Sequence, residues 1–476
     1  MRKTKIVCTL GPASSNAETI RGMLEAGMNV ARLNFSHGTH ESHAEVMALF
    51  RQVRDELGAA AAVMLDTKGP EIRVGAMEGG AVPLEAGKRL ILTTEDIIGD
   101  AGRVSISYSG LPAQIAPDTR ILLDDGRIAL RALRVKQTEI ECEVEIGGLL
   151  GSRKGVNVPA CNLDMPYLSE ADKADLLFGI AHDVDFVSAS FVRRRDDVVA
   201  LRKFLDYNGG HSIKIISKIE SAEGIDNFDG ILAISDGIMV ARGDMGVEVG
   251  YEKLPGLQKR FIKACYSSGK MAITATQMLE SMVSSPNPTR AEITDVANAV
   301  FDGTSAVMLS GESAMGQYPV QAVEVMSRIA RHAEKDAFGQ NAYRDIRYDT
   351  DADDTTNAIC DAACTTARDI HAHAVIAVTK SGKTARRMSK FRPQVPIVAA
   401  TPVEKTFHQL ALSWGVYPVK ARMQSSTDDL FFHAIDCAKH IDLVEDGDTV
   451  VITGGVPLGT AGTTNILKVQ VAGARD

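Results

Sequence analysis

The stretch Ala-Arg-Leu-Asn-Phe-Ser-His-Gly at residues 31–38 carries the argument for the fold. Successive side chains on a strand point to opposite faces. Arg32, Asn34 and Ser36 therefore share one face, and Leu33 and Phe35 share the other. The apolar pair suits packing against helices, while three polar groups at the carboxyl end of a strand suit an open mouth. The same kind of ending recurs as Asp66/Thr67/Lys68, Ser188/Ser190, Lys218/Glu220, Arg242/Asp244, Thr274/Thr276 and Ser310/Glu312. A closed parallel barrel draws its chemistry from the carboxyl ends of many strands at once, whereas an open doubly wound sheet concentrates it at one crevice. The pattern predicts the barrel.

The neighbouring sequence supplies the elements. Lys5–Leu10 is an apolar run closed by Gly11-Pro12, and Ser15-Asn16 caps a helix that ends at Gly27. Asn29–Phe35 is the second strand, Glu41–Leu57 a helix stopped by Gly58, and Ala61–Leu65 the third strand. From about Glu71 to Tyr167 helical periodicity gives way to short alternating runs: Arg103–Tyr108, Arg120–Leu123, Ile128–Val135 and Glu139–Ile146. The β/α rhythm returns at Ser169, where Ser-Glu-Ala-Asp is a capping pattern. Five more strands follow: Asp185–Phe191, Ile213–Ile219, Gly237–Ala241, Met271–Ala275 and Ser305–Leu309. The expected fold class is α/β, a (β/α)8 barrel over 1–69 and 168–340, with a small all-β lid barrel inserted at 70–167. Asp336–Asn357 reads as a linker. Beyond it a C-terminal α/β domain, 341–476, has strands at Ala374–Thr379, Ile397–Ala400, Val416–Val419, Thr449–Thr453 and Ile466–Val471.

Composition narrows the class of protein. With 45% hydrophobic and 24% charged residues, the chain is an ordinary globular one rather than disordered or fibrous. A net charge of -9 argues against a nucleic-acid surface. Small anions remain acceptable, because they respond to the local field of a cleft. The seven cysteines form no Cys-x-x-Cys pair, which points to reduced thiols in the cytoplasm. The amino terminus has no apolar signal core, and no run approaches the ~18 apolar residues of a membrane span.

Several clusters bear chemistry. Lys218 and Glu220, two apart on a strand, can pair with each other, bind a metal or handle protons; a plain barrel salt bridge is the bland alternative. Asp244 follows a neighbouring strand, and Glu220 with Asp244 could hold one hard cation such as Mg²⁺; alone, Asp244 could be a helix N-cap. Arg32 suits a bidentate grip on phosphate. One carboxylate with several neutral oxygens at Asn34, Ser36, Asp66 and Thr67 suits a large monovalent cation. Thr276 could relay a proton, hold a carboxylate, or be an ordinary strand-end hydroxyl. Thr379-Lys380-Ser381-Gly382-Lys383-Thr384, between a strand and a helix, offers an anion site. It is no Walker loop, because Ala377 stands where that motif needs glycine.

At this point the chain resembles the pyruvate kinase family. The match runs through 32–38, 66–73, 216–220, 239–244, 275–282, 288–292, 295–299 and 308–312, and so spans nearly the whole sequence. The resemblance implies a bacterial-type phosphotransferase that moves the phosphoryl group of phosphoenolpyruvate to ADP, giving pyruvate and ATP at the end of glycolysis. It implies Mg²⁺ (or Mn²⁺) on Glu220 and Asp244, and K⁺ on Asn34, Ser36, Asp66 and Thr67. Glu71 matches the members that require K⁺. Arg32 and Lys218 would hold the phosphoryl group, and the Gly243 and Asp244 NH groups with Thr276 would hold the substrate carboxylate. Asn34, His37, Arg73 and Lys154 would meet the nucleotide. Ser310 and Glu312 match the surroundings of the proton-delivery network. The family is commonly a homotetramer with a phosphorylated activator at Thr379–Thr384, faced by Gly459–Thr464. Asp428–His440 carries no arginine, so the resemblance does not name the activator. Two rivals are a phosphoenolpyruvate/pyruvate-type lyase, which needs no nucleotide clamp, and a catalytically dead metabolite sensor. Arg73 and Lys154 argue against the first, and intact Lys218, Glu220 and Asp244 against the second.

Overall fold

The fold was taken from a computed structural model, which describes residues 1–159, 161–340, 343, 354–458 and 463–474. Eight parallel strands close a barrel: β1 (Lys5–Thr9), β2 (Val30–Asn34), β3 (Ala62–Asp66), β4 (Phe186–Ala189), β5 (Lys214–Ile219), β6 (Gly237–Ala241), β7 (Met271–Ala275) and β8 (Ala306–Leu309). Helices begin where the sequence caps them. Asn16 accepts from the Thr19 NH, and Ser169 and Asp172 form a reciprocal capping box. The alternation read at 31–38 holds. Leu33 and Phe35 lie in the apolar shell between strands and helices, while Val30, Met64, Phe186, Ile216 and Met239 fill the barrel interior. Leu412, from the C-terminal domain, is buried in that interior cluster and stoppers its lower end.

Between β3 and the helix Glu170–Ala181 lies the inserted β-structure. Seven strands between Ile72 and Asn157 form one sheet, mostly antiparallel, and its edges meet at a bridge between Val74 and Ile106. The sheet therefore curls back on itself around Leu90, Leu92, Ile121, Leu130 and Ile140. The alternating runs missed Ile72–Arg73, Ala81–Leu84, Arg89–Thr93 and the short strands at 148–157: Pro83 interrupts the second, Leu90-Ile91-Leu92 is continuously apolar rather than alternating, and the others are two to four residues long or carry glycine.

The C-terminal sheet has the order β11-β10-β9-β12-β13, with β9 (Ala374–Val378), β10 (Ile397–Thr401), β11 (Val416–Lys420), β12 (Thr449–Gly455) and β13 (Thr464–Val471). Only β13 is antiparallel. The linker expected from Asp336 begins later than its polarity suggested. The helix Pro319–Gly339 runs through Asp336, because Ala337 is buried with Trp414 and Tyr343. The next helix, Thr355–Asp369, starts before Asn357, and residues 341–342 and 344–353 lie outside the described residues.

Candidate active site

Lys218 organises the barrel mouth. Its ammonium donates to Ser190 Oγ at 2.7 Å and Asp66 Oδ1 at 3.2 Å, and lies 3.0 Å from Glu220 Oε1. Three acceptors thus take up its three N–H bonds. Asp66 also accepts from Arg32 Nε at 2.6 Å, and the other arm of Arg32 reaches Thr9 Oγ1 at 2.9 Å. Burial alone would raise the Asp66 carboxyl, but Arg32 and Lys218 outweigh it and hold it below its ordinary range. Burial likewise works against the Lys218 ammonium, and the two carboxylates overcome it, so its pKa is raised and the charge is kept. Glu220 is different. It is 1% exposed, and burial, reinforced by Asp244, pushes its carboxyl up to about 7 despite Lys218. Its other oxygen accepts from the Phe191 NH at 2.6 Å.

Glu220 follows β5, and Asp244 lies in the first turn of the helix Arg242–Val249 that follows the adjacent strand β6. Asp244 is not the cap of that helix, since Ala241 holds that position. The bland reading of Asp244 therefore fails. Its carboxylate acts on Glu220, Lys218 and Arg73 together. Among the described residues no three His, Cys, Asp or Glu side chains converge as a metal nest. A divalent ion on Glu220 and Asp244 would draw its remaining ligands from substrate and water, the usual Mg²⁺ arrangement. The donors fit: a buried carboxyl lifted by a like charge is one that a dication would return to its ionised form.

Thr276 adopts a left-handed conformation, φ 68°, at the end of β7. Its Oγ1 accepts from the Gly243 NH at 2.9 Å and donates to Ala275 O at 2.6 Å. Arg242 fixes this strained corner. It donates to Ala275 O at 3.1 Å and Thr276 O at 2.6 Å, and is anchored on Asp295 at 2.7 Å. Arg242 and Ser190 were visible as polar strand endings, but neither had a role in the sequence reading. Both act through contacts with residues distant in the chain. Glu312 is buried and receives the NH groups of Leu279 and Ser310 at 3.0 and 2.7 Å, so it orders the loop beside Thr276.

The monovalent-cation candidates surround Asp66. Asn34 stands opposite Asp66 in the β2–β3 register, and its Oδ1 accepts from the Ser36 NH at 3.1 Å. Thr67 is stitched to β4, its carbonyl accepting from Ser190 Oγ at 2.6 Å. Both Asp66 oxygens already serve Arg32, Lys218 and Ser190. The neutral oxygens of Asn34, Ser36 and Thr67 beside an anionic carboxylate are a donor set that fits K⁺.

A cavity of about 410 Å³ opens between this rim and the inserted domain, lined among others by His37, Glu71, Arg73, Lys154, Asp244 and Glu248. Arg73 is held bidentately by Glu71 at 2.6 and 2.9 Å, and Lys154 pairs with Asp124 at 2.8 Å. Asn157, on the inserted domain, donates to Glu248 on the barrel at 3.1 Å. The cavity joins three of the expected nucleotide residues, His37, Arg73 and Lys154, to Asp244 and hence to the Lys218 cluster; Asn34 is not on its wall. The loop Thr379–Thr384 is elsewhere, in the C-terminal domain. Thr379 Oγ1 accepts from the Gly382 NH at 3.0 Å, and Gly382 turns the chain with φ 75°. A separate cavity is lined by Thr379, Lys380, Ser381, Lys383 and Thr384, with Arg422 among its walls. Of the expected facing loop, residues 459–462 lie outside the described residues.

Residues 1–323 match the family model described as pyruvate kinase, barrel domain, and residues 357–470 the one described as pyruvate kinase, alpha/beta domain. A protein of Clostridium acetobutylicum named pyruvate kinase is 48% identical over 99% of this chain and 100% of its own length. Those of Geobacillus stearothermophilus and Clostridium perfringens are 48% and 45% identical over 99% of this chain, covering 80% and 100% of their own lengths.

Proposed function

The chain belongs to the pyruvate kinase family, and from that premise we propose how its residues divide the reaction. The enzyme is a phosphotransferase that moves the phosphoryl group of phosphoenolpyruvate to ADP, giving pyruvate and ATP. The observation that carries the residue assignment is the Lys218 ammonium, kept charged by Asp66 and Glu220 and set beside Arg32 at one rim.

Phosphoryl transfer asks for positioning and charge neutralisation more than covalent help. Lys218 and Arg32 hold the phosphoryl oxygens while the enol C–O–P bond breaks at phosphorus and an ADP β-phosphate oxygen takes its place. Lys218 acts as a fixed positive charge and need not lose a proton. The NH groups of Gly243 and Asp244, with Thr276, receive the substrate carboxylate. The enolate left behind takes a proton on its terminal carbon from water held near Thr276. Asn34, His37, Arg73 and Lys154 receive the nucleotide, and the inserted domain closes over it to keep bulk water from the phosphorus. Mg²⁺ or Mn²⁺ on Glu220 and Asp244, and K⁺ on Asn34, Ser36, Asp66 and Thr67, supply further positive charge when bound.

The working domain division is 1–69 with 168–340, 70–167 and 341–476. The Thr379–Thr384 loop takes a phosphorylated activator, and the enzyme works as a homotetramer in the cytoplasm, without nucleic acid or membrane. The free cysteines suit a reducing compartment, and no described helix is long and apolar enough to cross a membrane. ATP formation from phosphoenolpyruvate and ADP, assayed with K⁺ and with tetramethylammonium in its place, tests the reading. The expected result is ATP with K⁺ and a large drop without it; no ATP under either condition would refute the assignment.

A further inference from the structure

The short helix Glu404–Gln409 of the C-terminal domain meets the barrel on the face opposite the reaction. Its Lys405 ammonium donates to Asp183 O, Asp183 Oδ1 and Val184 O at 2.8, 2.7 and 2.7 Å, and lies 3.5 Å from Asp185 Oδ1. Gln409, one turn later on the same helix face, donates to Asp185 O at 3.1 Å and Ser212 O at 2.7 Å. Asp185 in turn accepts the Val63 NH at 2.8 Å through Oδ2, and its carbonyl accepts the Lys214 NH at 3.1 Å. One face of a small helix thus ties down the beginnings of β3, β4 and β5. The other ends of these strands, about 10–20 Å away at ~3.3 Å per residue, carry Asp66, Ser190, Lys218 and Glu220. On its other side the helix is tied to the Thr379–Thr384 loop, since Thr406 Oγ1 donates to Lys380 O at 2.7 Å.

We propose that this helix is a brace and that Lys405 is a positioning residue for the reaction. By fixing the axial position of three adjacent strands from beneath, it sets the spacing of the Lys218 cluster at the far rim. The pattern of contacts argues against mere domain glue. The Asp183 carboxylate is 75% exposed and contributes little as an ion pair, whereas Lys405 is 15% exposed and two of its three hydrogen bonds go to the carbonyls of Asp183 and Val184, in the turn that leads into β4. Closely packed strands transmit such a displacement along their length rather than absorbing it. The inference rests on the roles given to Asp66 and Lys218 above. It makes the brace selective: phosphoenolpyruvate handling depends on it, whereas ADP, held by Arg73 and Lys154 on the inserted domain and by Asn34 and His37 at the end of β2, a strand outside the brace, does not.

The test is steady-state kinetics of the full-length enzyme carrying Lys405→Met or Lys405→Arg, with thermal unfolding of each. Lys405→Met is expected to lower kcat/KM for phosphoenolpyruvate about tenfold while the KM for ADP changes by less than about twofold, with recovery in Lys405→Arg. Unchanged phosphoenolpyruvate kinetics in folded Lys405→Met, or an equal loss toward both substrates, would overturn the proposal. Should Lys405→Met fail to fold, Gln409→Leu replaces it: the same selective loss supports the brace and its absence overturns it. Failure of the wild-type enzyme to make ATP would instead refute the functional reading, and the brace with it.

Discussion

At the scale of single residues, the cluster at the barrel mouth is built around charge that must stay fixed. Lys218→Met is expected to cut turnover by several orders of magnitude while divalent-ion binding, followed by Mn²⁺ resonance, stays measurable; near-normal turnover would remove the role given to the ammonium. Glu220 yields a pH prediction. Its folded carboxyl titrates at about 7 against an ordinary 4.5, so the folded chain binds more protons than the unfolded one between those values. That contribution to stability is fully present below the ordinary value and is lost as pH rises through about 7. A dication must displace the same proton, so apparent Mn²⁺ affinity should rise about tenfold per pH unit below ~7 and level off above it. In Glu220→Gln that slope should vanish. The sequence showed Lys218 and Glu220 as neighbours because they are two apart on one strand. It could not show Asp66 as the partner of Lys218, which lies 152 positions away and meets it only through barrel closure.

Elements were legible wherever turn and cap residues mark their ends. Asn16, Gly27 and Ser169 stand where the sequence put them, and the boundaries of β6 and β7 are unchanged. Legibility fails where tertiary burial overrides local polarity, as when Ala337 carries its helix past Asp336 to meet Trp414. It also fails across domains. Nothing in the run Leu410–Leu412 announces that Leu412 stoppers the barrel. Leu412→Ala removes a fully buried side chain from a packed interior and should cost about 2–5 kcal/mol. Denaturant titration would register it, and a loss below ~1 kcal/mol would mean that the lower end of the barrel can collapse around the gap.

For the molecule as a whole, eight strand-then-helix units argued for a closed barrel, and the repeating polar strand ends helped decide it over an open sheet, because closure is the arrangement that brings them to one rim. The way the inserted domain sits on that rim was not in the pattern; it depends on contacts such as Asn157 to Glu248. Asn157→Ala loosens this latch. Its expected signature is a raised KM for ADP, and pyruvate released in excess of ATP formed, as water reaches the phosphorus. Strict one-to-one stoichiometry in that variant would assign water exclusion to something other than closure.

The bond from the Gly243 NH to Thr276 Oγ1 has a kinetic corollary. Under the assignment above, an incoming carboxylate has to evict a hydroxyl already seated on its donor, and a departing pyruvate is replaced by that same hydroxyl. The corner therefore works as an exchange seat: the incumbent taxes arrival but shortens the stay of the product. Replacing Thr276 with valine frees the Gly243 NH but also takes away the hydroxyl that holds the carboxylate, so inhibition by pyruvate should weaken; tighter inhibition would mean that the hydroxyl acts only as a competitor.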